Sequence, residues 1–109
     1  MNRDLFDKIL NFLIEGIIVI DASGKIIFIN EEALKIVGLT RDRAENFLIV
    51  DTIPNTRLHI VLQSGVPEIN RIQYLRDKTI VTSRFPLLDE SGKVYAAMAV
   101  FRDMTSVEK

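Results

Sequence analysis

The chain carries a single imidazole, His59, and no cysteine. Thiol nucleophiles, thiolate metal sites, disulfides and cysteinyl-flavin photochemistry are therefore excluded. Glu31 and Glu32 stand side by side at a helix start, where the helix dipole accounts for them without catalysis. No Gly-x-Ser-x-Gly, phosphate-loop, Gly-x-Gly-x-x-Gly or His-Glu-x-x-His pattern occurs, and the chain is read as non-enzymatic. What remains is binding chemistry, which needs a few convergent polar groups in a mostly apolar pocket. Arg57, His59, Arg71, Gln73, Tyr74, Thr82 and Arg84 are the polar candidates, with Met98 beside them. Tyr74 is the first choice, because it joins an apolar body to a polar tip. Leu58, Val61 and Leu62 set the inward face of their helix, and ideal geometry turns His59 roughly 105° and Arg57 roughly 95° away on opposite sides. Arg57 is thus a rim candidate.

These residues must be positioned by strands and short helices, and two near-identical loops frame them. Asp21-Ala22-Ser23-Gly24-Lys25 and Asp89-Glu90-Ser91-Gly92-Lys93 each separate two β-rich apolar runs and read as hairpin turns. Strands are expected at 17–20 and 26–29, both apolar on both faces, and at 69–75, 79–88 and 94–102. Between them, Asn30 is expected to cap a helix at 31–37 and Thr40 a shorter segment through 46. Asn55 is expected to cap a helix at 56–63 that Ser64-Gly65 ends. The last strand has no polar face, as a central strand covered on both sides requires. The order is β-β, helices, then β-β-β.

At the N-terminus, residues 3–14 form an amphipathic helix, which Gly16 is expected to stop. Its apolar positions Leu5, Phe6, Ile9, Leu10, Phe12, Leu13 and Ile14 cover an arc of roughly 200°, about twice what one core contact needs. The surplus implies a second contact, to another chain. At the other end, Thr105-Ser106-Val107-Glu108 has the form of a capping box, read as the start of a linker helix at 104–109 leading to an output domain beyond Lys109.

One domain fits 109 residues. Fourteen basic residues are scattered among fifteen acidic ones, so no footprint for nucleic acid appears. The apolar run 9–20 is broken by Glu15 and Gly16 and is shorter than the roughly 20 residues a membrane span needs. Asp4 and Asp7 argue against a signal peptide, and a cytoplasmic location is expected. A hydrophobic content of 48% again suggests that some apolar surface meets a partner.

The Glu15-Gly16-Ile17-Ile18-Val19-Ile20-Asp21 opening, Gly24-Lys25-Ile26-Ile27-Phe28-Ile29-Asn30 with Ala33 after it, and the Phe101-Arg102-Asp103-Met104-Thr105 exit together resemble a PAS domain. More narrowly, Ile53-Pro54-Asn55-Thr56-Arg57-Leu58 with Ser64-Gly65 is similar to the N-terminal PAS modules of sigma-54-dependent transcriptional activators. The resemblance implies an α+β fold: a five-stranded antiparallel sheet in order 2-1-5-4-3, helices on one face around a small cavity, and an N-terminal helix on the other. With it come a core at 16–103, a flanking helix at 1–15 that forms a homodimer through Leu5, Phe6, Ile9, Phe12 and Leu13, and a signal exit at Asp103 and Thr105. Haem-binding relatives use a histidine on the internal helix, but His59 is turned off the inward face, so haem is not expected. Any cofactor is left unknown. The implied role is a sensory and dimerisation module that takes a small ligand or partner and relays the change to a bacterial transcriptional regulator. The alternatives are a module of a sensor histidine kinase or an interaction module without ligand.

Overall fold

The computed structural model describes residues 3–11 and 14–104. Its elements are α1 (Arg3–Asn11), β1 (Gly16–Asp21), β2 (Ile26–Ile29), α2 (Glu31–Val37), α3 (Arg41–Ala44), a 3₁₀ turn (Ile49–Asp51), α4 (Leu58–Ser64), β3 (Glu68–Tyr74), β4 (Thr79–Leu88) and β5 (Val94–Asp103). All strand pairs are antiparallel and the sheet runs β2-β1-β5-β4-β3, the order expected from the resemblance. Both hairpin loops close as their composition requires. Asp21 Oδ1 accepts from Ser23 N, Ser23 Oγ and Lys25 N at 2.9, 2.7 and 3.1 Å, and Asp89 Oδ1 repeats the pattern with Ser91 and Lys93 at 2.9, 2.8 and 2.9 Å.

Alternation sends Ile18, Ile20, Ala97, Ala99, Phe101 and Ile80 to the helix-covered face of the sheet. There they meet Ala33, Leu34 and Ile36 of α2, Ala44 of α3 and Leu58 of α4. β1 and β5 lie at the centre, whereas β2 is an edge strand with Ile27 42% exposed, so the expectation of two buried faces holds for β1 only.

Asn30 links three elements. Its side chain is fully buried; Oδ1 accepts from Ile17 N and Ala33 N, each at 2.9 Å, and Nδ2 donates to the carbonyls of Leu10 and Glu15, each at 3.0 Å. The expected cap of α2 is thus also the joint between α1 and β1. The described part of α1 runs to Asn11, and Ile14, expected on the helix, lies outside it and is 83% exposed. Phe12 and Leu13, expected on the helix, lie outside the described residues.

Gly16 does not end the helix; it opens β1 opposite Phe101. A Cβ there would stand 2.7 Å from Phe101 Cε2 and 3.0 Å from the Ala33 backbone, so the residue is glycine for close approach. Two other caps differ from expectation. Thr40 Oγ1 donates to Asp42 Oδ1 at 2.6 Å and makes no cap to α3. Asn55 has φ 56° and donates Nδ2 to Tyr74 O at 2.7 Å, so α4 begins later, at Leu58, whose N–H donates to Thr56 Oγ1 at 3.2 Å. Gly65 ends α4 at φ 71° as expected, and Gly38 ends α2 in the same way at φ 74°.

Asn30→Ala removes four bonds at once and strands two buried N–H groups. Denaturant unfolding should show a loss of about 3 kcal/mol; an unchanged midpoint would show that the joint contributes nothing.

Candidate functional site

Between the sheet and the helices lies a small cavity of about 20 Å³, lined by Ile18, Val37, Ile49, Ile53, Thr56, Leu58, Gln73, Ile80, Thr82, Arg84, Ala99 and Phe101. That volume holds about one water molecule. Most of the wall is apolar; the polar groups converge at the end formed by β3 and β4.

Arg84 is 2% exposed and Thr82 1% exposed, so both sequence-selected residues of β4 do face the interior. Arg84 Nη1 donates to Glu68 Oε1 at 2.8 Å and Nη2 to Gln73 Oε1 at 2.9 Å. Gln73 Nε2 in turn donates to Pro54 O at 2.9 Å, which pins the segment before α4 to β3. Arg57 closes the cluster from the rim, with Nη2 2.6 Å and Nε 3.0 Å from Glu68 Oε2, while half of its side chain stays in solvent.

Electrostatics follow from this arrangement. The hydrogen bond from Arg57, reinforced by the charges of both guanidiniums, holds the Glu68 carboxyl below its ordinary pKa against the opposing effect of burial. Burial lowers the pKa of Arg84 and the Glu68 charge opposes the shift, yet a guanidinium keeps its proton throughout the physiological range. The Glu68 carboxylate raises the pKa of Arg57.

Four other candidates lie elsewhere. Tyr74 pairs with Thr79, one position out of phase with the inward-facing Gln73–Ile80 pair, and is 62% exposed on the outer face. Met98 sits opposite Val19 and Phe85, also on the outer face, because Ala97 and Ala99 take the inward positions of β5. His59 lines a separate surface groove of about 450 Å³ formed by the first hairpin loop, Leu48 to Val50 and α4, and its Nδ1 is buried without a hydrogen-bond partner. Arg71 is exposed. Glu68, the residue on which the cluster turns, was not selected from the sequence. A register shift between Glu68 and Arg71 lets positions 68 and 73, an odd number apart, share one face, so no count of alternation reaches it.

Among the described residues no group of three or more His, Cys, Asp or Glu side chains could hold a metal, and no helix is long and apolar enough to cross a membrane. An antiparallel 2-1-5-4-3 sheet with helices folded over one face around a small polar-ended cavity is the architecture of the PAS fold. The family model described as PAS domain matches residues 14–106, and the chain belongs to the PAS-domain family. It is 29% identical over 103 residues to a probable C4-dicarboxylate sensor kinase of Halalkalibacterium halodurans and 31% identical over 106 residues to the sensor protein CitS of the same organism. Each match covers 94% of this chain and 19% of the relative, so the chain spans about a fifth of the length of these relatives. The crystal structure of a PAS domain from Colwellia psychrerythraea superposes with a TM-score of 0.73 at 17% identity, covering 94% of this chain and 96% of that one. The narrower likeness to sigma-54-dependent activators is not carried by these curated relatives, which are a sensor kinase and a sensor protein.

The two members of the buried ion pair differ in what their loss leaves behind. Glu68→Ala strands the Arg84 charge and should cost about 3–5 kcal/mol, whereas Arg84→Met removes the buried charge, leaves Glu68 with half-exposed Arg57 and should cost less than about 2 kcal/mol. The lowered Glu68 pKa makes its contribution complete above the ordinary glutamate value and lost as pH falls through the folded one. Urea midpoints against pH should therefore show a shallower acid limb in Glu68→Gln; equal costs for the two truncations would overturn the assignment.

Proposed function

We propose that this chain is the sensory PAS module of a bacterial sensor histidine kinase, acting on the cytoplasmic side as a homodimer and relaying a change to a kinase core that follows it. The observation that carries this reading is the pairing of Gly16 with Phe101 on the adjacent central strands. It sets the helix that leads in and the strand that leads out side by side at one end of the sheet. A glycine without side chain lets the Phe101 ring lie against the incoming backbone, and Arg102 Nε reaches Glu15 Oε2 at 3.7 Å across the same junction. A shift of β5 is therefore felt by α1, and a rotation of α1 by β5, the kind of rigid-element coupling a two-state partner can read. Asp103, the last residue of β5, hands the chain on; Thr105 lies outside the described residues.

The sensor-kinase and sensor-protein relatives favour a kinase output over a transcriptional activator. For dimerisation, the support is the surface of α1: Leu5, Phe6 and Ile9 are 50%, 52% and 45% exposed. The outer face of the sheet offers a matching surface, since Phe28, Val19, Met98 and Phe85 form a half-buried row across four strands. Helix stripes of this kind associate by removing apolar area from water.

Sedimentation equilibrium of the chain should show a dimer that Phe6→Asp with Ile9→Asp weakens by at least about tenfold, the cost of burying carboxylates in an apolar contact. A monomeric wild type would end the dimer reading, and a downstream coding sequence without a phosphoacceptor histidine and ATP-binding core would end the kinase reading.

A further inference from the structure

The polar end of the cavity carries more positive than negative charge. Glu68 answers two guanidiniums, Oε1 to Arg84 at 2.8 Å and Oε2 to Arg57 at 2.6 Å, and Arg71 lies near enough to oppose the Arg84 charge. A buried ion pair of this kind is poorly justified by stability alone, because apolar residues of similar volume commonly do as well.

Glu68 is also placed so that it can leave. It is the first residue of the edge strand β3, after an exposed stretch at Val66 and Pro67, and is followed by the register shift and by Asn70 at φ 53°. Arg57 keeps half of its side chain in solvent, so Glu68 swung outward can retain that ion pair at the surface. Charge then balances pair by pair if a second carboxylate meets Arg84. Arg84 and Gln73 themselves line the 20 Å³ void, whose other walls include Ile53, Leu58, Ile80 and Phe101. Such walls accept an alkyl stub and penalise a second buried charge.

We propose that Arg84, with Gln73, is the recognition point for a short-chain monocarboxylate such as acetate or propionate, and that Glu68 is the intrinsic occupant which that ligand displaces. The inference rests on the domain being a sensory module. It supplies a route for the signal: Arg84 pairs in register with Ala99 of β5, four residues before Asp103, while Arg57 stands at the start of α4. Exchange of Glu68 for a ligand carboxylate therefore alters contacts on both the exit strand and the helix above it.

The test is a proton–nitrogen NMR titration of the chain with sodium propionate, against sodium chloride at matched ionic strength and against succinate. Propionate should shift the amides of Leu58, Thr82 and Ala99 saturably in the millimolar range, with nuclear Overhauser contacts from its methyl group to Leu58 and Phe101. Glu68→Gln, which removes the competing carboxylate, should tighten propionate about tenfold. Chloride reproducing the shifts, contacts elsewhere on the surface, or no saturation in the wild type would each overturn the proposal, and tighter succinate would overturn the ligand class. The wild-type contacts decide the matter even if Glu68→Gln does not fold. A propionate failure beside an intact dimer ends this inference and leaves the relay reading standing.

Discussion

One buried carboxamide holds this domain together at its origin. Asn30 has two donors and two acceptor lone pairs, and the structure uses its side chain in both senses, donating to the end of α1 and the approach to β1 and accepting from β1 and α2. Aspartate would accept from Ile17 and Ala33 but turn a second oxygen on the carbonyls of Leu10 and Glu15; leucine would satisfy none of the four. The start of β1, the first turn of α2 and the end of α1 are thereby fixed relative to one another. The Gly16–Phe101 junction depends on that placement, and with it the adjacency of the incoming helix and the outgoing strand.

The opposite end of the core is held by different physics. Asn30 is neutral and fully satisfied, so it is rigid and insensitive to pH. The Arg57–Glu68–Arg84 cluster is charged, asymmetric in exposure and anchored to an edge strand, where local opening is least costly. Between the two ends runs β5, whose small residues Ala97 and Ala99 are buried in the core with residues of α2, α3 and α4.

What the sequence made legible was local. Each Asp-x-Ser-Gly-Lys loop contains its own hydrogen-bonding partners within four residues, so composition alone identified both hairpins. Asn30 was visible as a cap for the same reason, whereas its bonds to Leu10 and Glu15 span twenty and fifteen residues and left no local trace. The interior face of β4 could not be read because its two alternating sets, Ile80, Thr82, Arg84 and Val81, Ser83, Phe85, differ mainly by a buried arginine in the inward one. Ordinary hydropathy would have reversed them. Tyr74 and Met98 were misplaced by the same ambiguity of phase, and Glu68 was hidden by the register shift that follows it.

That register shift has a further meaning for association. An open five-stranded sheet exposes two rows of backbone groups that can template additional strands. Here β3 is interrupted by its bulge, by the left-handed Asn70 and by the charge of Arg71. The β2 edge is occupied by the segment that bonds back onto it, Ile26 N to Phe47 O at 2.9 Å and Asn46 N to Ile26 O at 2.7 Å. Both rims are thus protected against open-ended, amyloid-like growth by strand addition.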